Sequence, residues 1–199
     1  MSNTRYRTNE GELIPIIAII ILNVLIYLGV NIAAYMGTNI VPYLGLYGSW
    51  GGLIERPWTI ITYMFTQANF FHLLANMLTF YFFGSFLNRV AGERNFLLIY
   101  FAGGIIGGLF VLWLSSPYIP TIGASGAVLA LGGALIVVAP KVSVYIFPIP
   151  VPMPLWVGVL IGFLILLPIG SISWQAHLGG LLSGLLIGLY LRHRLRIAV

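Results

Sequence analysis

The charged residues of this chain fall in small groups, separated by long stretches that carry none. The longest charge-free stretches are 13–54, 57–88, 95–140 and 142–191, together 170 of the 199 residues. A helix crosses the hydrocarbon core of a bilayer with about 20 apolar residues. Most of these stretches are therefore too long for a single crossing, and clusters of Gly and Pro divide them. The pattern predicts six spans, at 13–35, 70–88, 96–114, 125–139, 151–168 and 174–191. The loop 36–57 mixes Tyr43, Leu44, Leu46, Tyr47 and Trp50 with glycines, which suits a segment lying in the membrane interface. The predicted fourth span is short: at 1.5 Å per residue it reaches only about 22 Å, against a core of about 30 Å. Its head should lie below the outer surface, and the loop before it must dip inward. Such a dip is tolerated where it is buried in protein or lines a wet cavity, so a serine at the floor of a water-filled pocket is expected there.

The predicted organisation is a polar, mobile tail at 1–12, a membrane domain at 13–191 and a second tail at 192–199, with no soluble domain or internal repeat. The apolar run from Leu13 to Tyr35 exceeds the 7–15 apolar residues of a cleaved signal, so it reads as a span.

Composition sharpens this picture. Apolar residues make up 60% of the chain and charged residues 7%, with a mean hydropathy of +1.03. A soluble domain carries about 25% charge, so a water-exposed globule and a disordered chain are both excluded. The absence of cysteine removes disulfides, thiolate metal sites and cysteine nucleophiles. There is no aspartate, and the acids are Glu10, Glu12, Glu55 and Glu93. The net charge of +5 is scattered and gives no nucleic-acid footprint. With both termini cytoplasmic, Arg5, Arg7, Arg89, Arg94, Lys141, Arg192, Arg194 and Arg196 fall on inner segments and Arg56 alone on an outer one. That bias predicts a multi-pass cell-membrane protein with N-in, C-in orientation.

Polar groups inside spans are costly, so each is a candidate for function. His72 and Asn76 are four residues apart, hence on one face of the second span. Ser125 lies in Gly123-Ala124-Ser125-Gly126 at the head of the fourth, and His177 in Ala176-His177-Leu178-Gly179-Gly180 at the head of the sixth. Each also has a structural reading: interhelical hydrogen bonding for His72 and Asn76, a helix cap for Ser125, a bonded core histidine for His177. In the six-span topology, however, all four fall at one depth near the outer surface.

A serine needs a base to become a nucleophile, and His177 is the natural one. No acid lies within a span, which favours a Ser–His dyad over a triad. His72, Asn76 and the backbone at the helix head supply donors for an oxyanion. Gly123 and Gly126 flank the serine. Gly180, Gly184 and Gly188 give small-xxx-small spacing on the sixth span, and Gly103, Gly104, Gly107 and Gly108 do so on the third, for close helix packing at the site.

These residues resemble the rhomboid family of intramembrane serine proteases. The second span carries the family's His-x-x-x-Asn as His72-Leu-Leu-Ala-Asn76, and the fourth its Gly-x-Ser-Gly. The sixth carries its Ala-His-x-x-Gly-x-x-x-Gly through Gly184, and the proline run Phe147–Pro154 is like that before the fifth span in many prokaryotic members. The resemblance implies an all-α, six-helix bundle. It implies a protease cutting single-span membrane proteins near their outer boundary, with substrates arriving from the lipid beside the second and fifth spans. Ser125 would be nucleophile and His177 base, with His72, Asn76 and the Ser125 amide on the oxyanion. No metal, cofactor, nucleic acid or obligate partner is implied. Four positions depart from the pattern: Thr59 for an arginine, Gln67 for a further histidine, Leu129 for an aromatic that packs on the catalytic histidine, and Asn88 for a glutamate. Two other readings are a weak or inactive rhomboid-like protein that binds membrane clients, and a small transporter with His72 and His177 as proton relays. The second lacks the intramembrane carboxylates it should show.

Overall fold

A computed structural model describes residues 10–146, 149–166 and 173–195. Positions 1–9 of the predicted mobile tail, 147–148 of the proline run, 167–168 of the predicted fifth span and 196–199 of the second tail lie outside the described residues. In chain order the elements are α1 (Glu10–Tyr35), α2 (Val41–Leu44), α3 (Trp50–Glu55), α4 (Thr59–Thr62), a 3₁₀ turn (Tyr63–Phe65), α5 (Phe70–Ala91) and α6 (Glu93–Leu114), followed by α7 (Ser125–Val138), β1 (Ser143–Ile146), β2 (Ile149–Pro154), α8 (Leu155–Leu166) and α9 (Trp174–Leu195).

Among the described residues, four helical stretches are long and apolar enough to cross a membrane: Leu13–Tyr35, Phe70–Ala91, Glu93–Leu114 and Trp174–Arg194. Ser125–Val138 and Leu155–Leu164 are apolar but shorter. The shortness of α7 goes with its position. All of its residues except Ser125 and Ile136 are buried, and α9, α6, α5 and α8 surround it. α1 is its opposite. Ile14, Ile17, Ile21, Leu25, Leu28 and Ile32 are exposed on it, a surface suited to lipid and not to water.

Local chemistry sets the helix ends. The Asn69 side chain caps α5 by accepting from the His72 N–H at 2.9 Å. Gly92, at φ +84°, alone separates α5 from α6. Such a backbone turn suits a residue without a Cβ.

One boundary of the predicted fifth span is corrected. Residues 151–154 are not helical; they belong to β2, which pairs antiparallel with β1 in the register Ser143↔Pro154, Val144↔Met153 and Ile146↔Ile149. Prolines at 150, 152 and 154 rule out a helical start. A two-stranded ribbon tolerates them, because each strand has a free edge where a missing N–H leaves nothing unpaired. The helix begins at Leu155, whose N–H donates to the Val142 carbonyl at 2.8 Å.

The loop 36–57 holds two short helices and keeps Tyr43, Trp50 and Ile54 exposed. Leu46 differs from the interfacial expectation: it is buried, and its backbone exchanges hydrogen bonds of 3.0 and 2.7 Å with Thr121. The first loop is thereby docked onto the segment that leads to Ser125.

Candidate active site

Ser125 is the first residue of α7 and His177 lies in the first turn of α9. His177 Nε2 and Ser125 Oγ are 2.6 Å apart. The serine hydroxyl does not cap its helix; the position before it, Ala124, is the cap and has no side-chain bond. His177 is buried. Among the described residues no carboxylate is hydrogen-bonded to it, and Glu55 and Glu93 are exposed.

Backbone contact between α7 and α9 holds the pair. A Cβ on Gly180 would run into the Gly126 carbonyl, and one on Gly184 into the Ala130 carbonyl. One on Gly188 would lie 2.9 Å from Ala134 Cα, and one on Gly126 2.9 Å from the Ala176 carbonyl. Gly126, Ala130 and Ala134 thus face Gly180, Gly184 and Gly188 at matching four-residue steps. This is a small-residue seam one helical ridge long on each side. On α6, a Cβ on Gly107 would lie 2.8 Å from the Ala176 carbonyl, and one on Gly103 would overlap the Ala130 side chain. The residue before His177 is therefore boxed in from two helices.

His72 approaches from α5. The Ala68 N–H donates to His72 Nδ1 at 3.2 Å. An accepting Nδ1 places the ring proton on Nε2, which makes that atom a donor. The Nε2 edge faces Gly123: a Cβ there would sit 3.0 Å from His72 Nε2, 2.7 Å from Cε1 and 3.6 Å from Ser125 Oγ. Gly123 also has φ +130°, and its N–H donates to the Tyr63 carbonyl at 2.8 Å. Glycine is required there twice over, by the backbone angle and by the histidine. Asn76 is buried one turn further along α5, and its Nδ2 donates to Gln67 Oε1 at 2.8 Å.

Sequence reasoning did not single out three residues that tie the first loop down. Arg56 Nη1, Trp58 Nε1 and Thr62 Oγ1 donate to the carbonyls of Pro42, Tyr43 and Leu44 at 2.7, 2.8 and 2.7 Å. These are consecutive carbonyls at the end of α2, which have no further helical turn to receive them. The guanidinium of Arg56 also lies 5.4 Å from the Tyr47 ring centroid. The isolated basic residue of the outer loops was the available clue. Thr59 instead closes its own turn, donating to the Arg56 carbonyl at 2.7 Å. Of the other departures, Leu129 and Asn88 are buried and Gln67 bonds Asn76. The hollow lined by Arg94, Asn95, Tyr190 and Arg194 lies between the start of α6 and the end of α9, at the opposite end of α9 from His177.

The Rhomboid domain family matches residues 55–194, more than half of the chain. The chain belongs to the rhomboid family. Rhomboid protein 1, mitochondrial, of Saccharomyces cerevisiae is 35% identical over 145 residues, 67% of this chain and 41% of that protein. The putative rhomboid protease YdcA of Bacillus subtilis is 31% identical over 139 residues, 65% of each chain. Rhomboid protease GlpG of Haemophilus influenzae is 29% identical over 133 residues, 66% of this chain and 68% of that one. This chain therefore spans less than two thirds of the first two relatives. Family and apolar helices together describe a multi-pass membrane protein of a protease family.

Proposed function

We propose that this rhomboid is an intramembrane serine endopeptidase that cuts transmembrane helices near the outer boundary of the cell membrane. In this reading six helices cross, with α7 and α8 as the short ones, and both termini are cytoplasmic. The observation that carries it is the 2.6 Å contact of His177 Nε2 with Ser125 Oγ, made by residues 52 apart in sequence.

His177, neutral, takes the hydroxyl proton at Nε2 as Ser125 Oγ bonds to the scissile carbonyl carbon. The negative charge that develops on the carbonyl oxygen meets His72 Nε2–H, the Asn76 amide and the Ser125 N–H, one of the helix-start donors with no carbonyl in its own helix. The C–N bond then breaks, and His177 returns the proton to the leaving amine. Water, deprotonated by the same histidine, bonds to the acyl carbon; the ester C–O bond breaks, and His177 returns the proton to Ser125 Oγ. No step requires a metal or cofactor. Burial of His177, on a helix packed against α7 and α6, supplies the orientation that a carboxylate gives elsewhere.

The test is labelling of the detergent-solubilised protein with a fluorophosphonate probe, beside Ser125→Ala and His177→Ala. Labelling of the wild type alone supports the reading. A folded wild type that does not label points to a non-catalytic, client-binding rhomboid.

A further inference from the structure

Three carboxamides, on three separate segments, form a buried chain that ends at Asn76, a candidate oxyanion donor. Asn76 Nδ2 on α5 donates to Gln67 Oε1 at 2.8 Å. Gln67 Nε2, in the turn before α5, donates to Asn23 Oδ1 at 2.8 Å. Asn23 Nδ2, in the middle of α1, donates to the Ile19 carbonyl at 2.9 Å. The exposures are 0% for Asn23, 2% for Gln67 and 7% for Asn76. Asn23 and Gln67 are out of reach of solvent, and Asn76 nearly so.

The chain has only one workable direction. A backbone carbonyl can only accept, so Asn23 must turn its NH₂ to Ile19 and its oxygen to Gln67. Gln67 must then turn its NH₂ to Asn23 and its oxygen to Asn76. Asn76 must turn its NH₂ to Gln67. Among the described residues nothing else takes the second Nδ2 proton of Asn76. That proton is left on the helix that also carries His72 to Gly123 and Ser125. Reversing any amide would set NH₂ against NH₂, or oxygen against oxygen, in a dry site.

We infer that Gln67 and Asn23 are positioning residues that set the Asn76 amide with its N–H toward the oxyanion. The inference rests on the proposed protease reading. It extends the site to α1, outside the 55–194 match, and assigns a task to a Gln67 that departs from the family pattern.

The experiment is a double-mutant cycle on the full chain in proteoliposomes. A fluorogenic transmembrane-helix peptide is the substrate and Ser125→Ala the blank. Gln67→Met keeps the side-chain length and removes both the amide oxygen and the amide NH₂. A mis-aimed donor costs less than a deleted one, so kcat should fall about ten-fold, with KM unchanged. The same substitution should have no further effect in an Asn76→Ala background. Gln67→Glu, which when neutral keeps both the acceptor and a donor, should restore most of kcat. Asn23→Leu, one link further away, should lower kcat about three-fold, again only when Asn76 is present. Losses that add to Asn76→Ala, a loss confined to KM, or a Gln67→Glu no better than Gln67→Met would overturn the inference while Ser125-dependent cleavage stands. A wild type no faster than Ser125→Ala overturns the protease reading and this inference with it. If Gln67→Met does not fold, Asn23→Leu and Gln67→Glu are judged by the same criteria.

Discussion

α7 has two unlike neighbours. Against α9 it packs backbone to backbone, through Gly126, Ala130 and Ala134 facing Gly180, Gly184 and Gly188. Against α8 the contact is thinner, with Leu155, Gly158 and Val159 buried over 155–164 of that helix. A Cβ on Gly132 would lie 3.0 Å from Phe83 Cε2 on α5 and 3.3 Å from both Val159 methyls on α8. On that side flexible side chains, not backbone, fill the gap. The seam bearing Ser125 and His177 is the rigid one, where a misplacement of 1 Å would separate nucleophile from base. The boundary between α5 and α8 is filled by side chains that can shift, and under the proposed protease reading a substrate helix would enter there.

The contrast can be broken most directly at the seam. Ser125→Ala and His177→Ala should each lower peptide cleavage by at least about 10³-fold with thermal unfolding unchanged. Turnover of either variant near wild type would remove the dyad. Asn76→Ala should follow, with a loss of about 10²-fold in kcat, because other donors remain. Complete loss with normal probe labelling would assign Asn76 another task. Gly184→Val drives a Cβ, with two methyl groups beyond it, against the Ala130 backbone and should cost about 1–3 kcal/mol. Thermal unfolding and cleavage should fall together, and loss of only one would show the seam and the site to be uncoupled. On the yielding side, Val159→Ala removes two methyl groups at about 0.8 kcal/mol each. Unfolding should shift slightly lower while cleavage holds at or above the wild-type rate. A rate below half of wild type would mean that α8, too, holds the site rigid.

Acidity offers a milder probe of the seam. The base must be neutral, so cleavage should be suppressed when His177 is protonated and rise as pH increases through its titration. Activity that stays undiminished as the pH is lowered to the point where the protein unfolds would contradict His177 as the proton acceptor.

Much of this was legible in the chain. Charge-free stretches marked the apolar helices, because burying a charge in hydrocarbon is costly whatever the fold. Gly180, Gly184 and Gly188 announced a close contact, though not that Gly126, Ala130 and Ala134 would meet them. Residues 151–154, in the second strand of the ribbon, were misread as the start of a span. They are as apolar as a helix, and only the alternate prolines distinguish them. The anchoring of the first loop was not legible. Its acceptors are the carbonyls of Pro42, Tyr43 and Leu44, which every residue type carries alike.

By itself, then, the sequence determined the membrane character, the long apolar helices and the four polar side chains worth suspecting. Those follow from transfer free energies and motif spacing, which are local. Only the tertiary structure decided that Ser125 Oγ meets His177 Nε2, that His72 keeps its proton on the edge facing Gly123, and that Asn23 reaches Asn76 through Gln67. These depend on partners up to 52 residues apart, and on the direction of hydrogen bonds. Residue spacing along one chain carries neither.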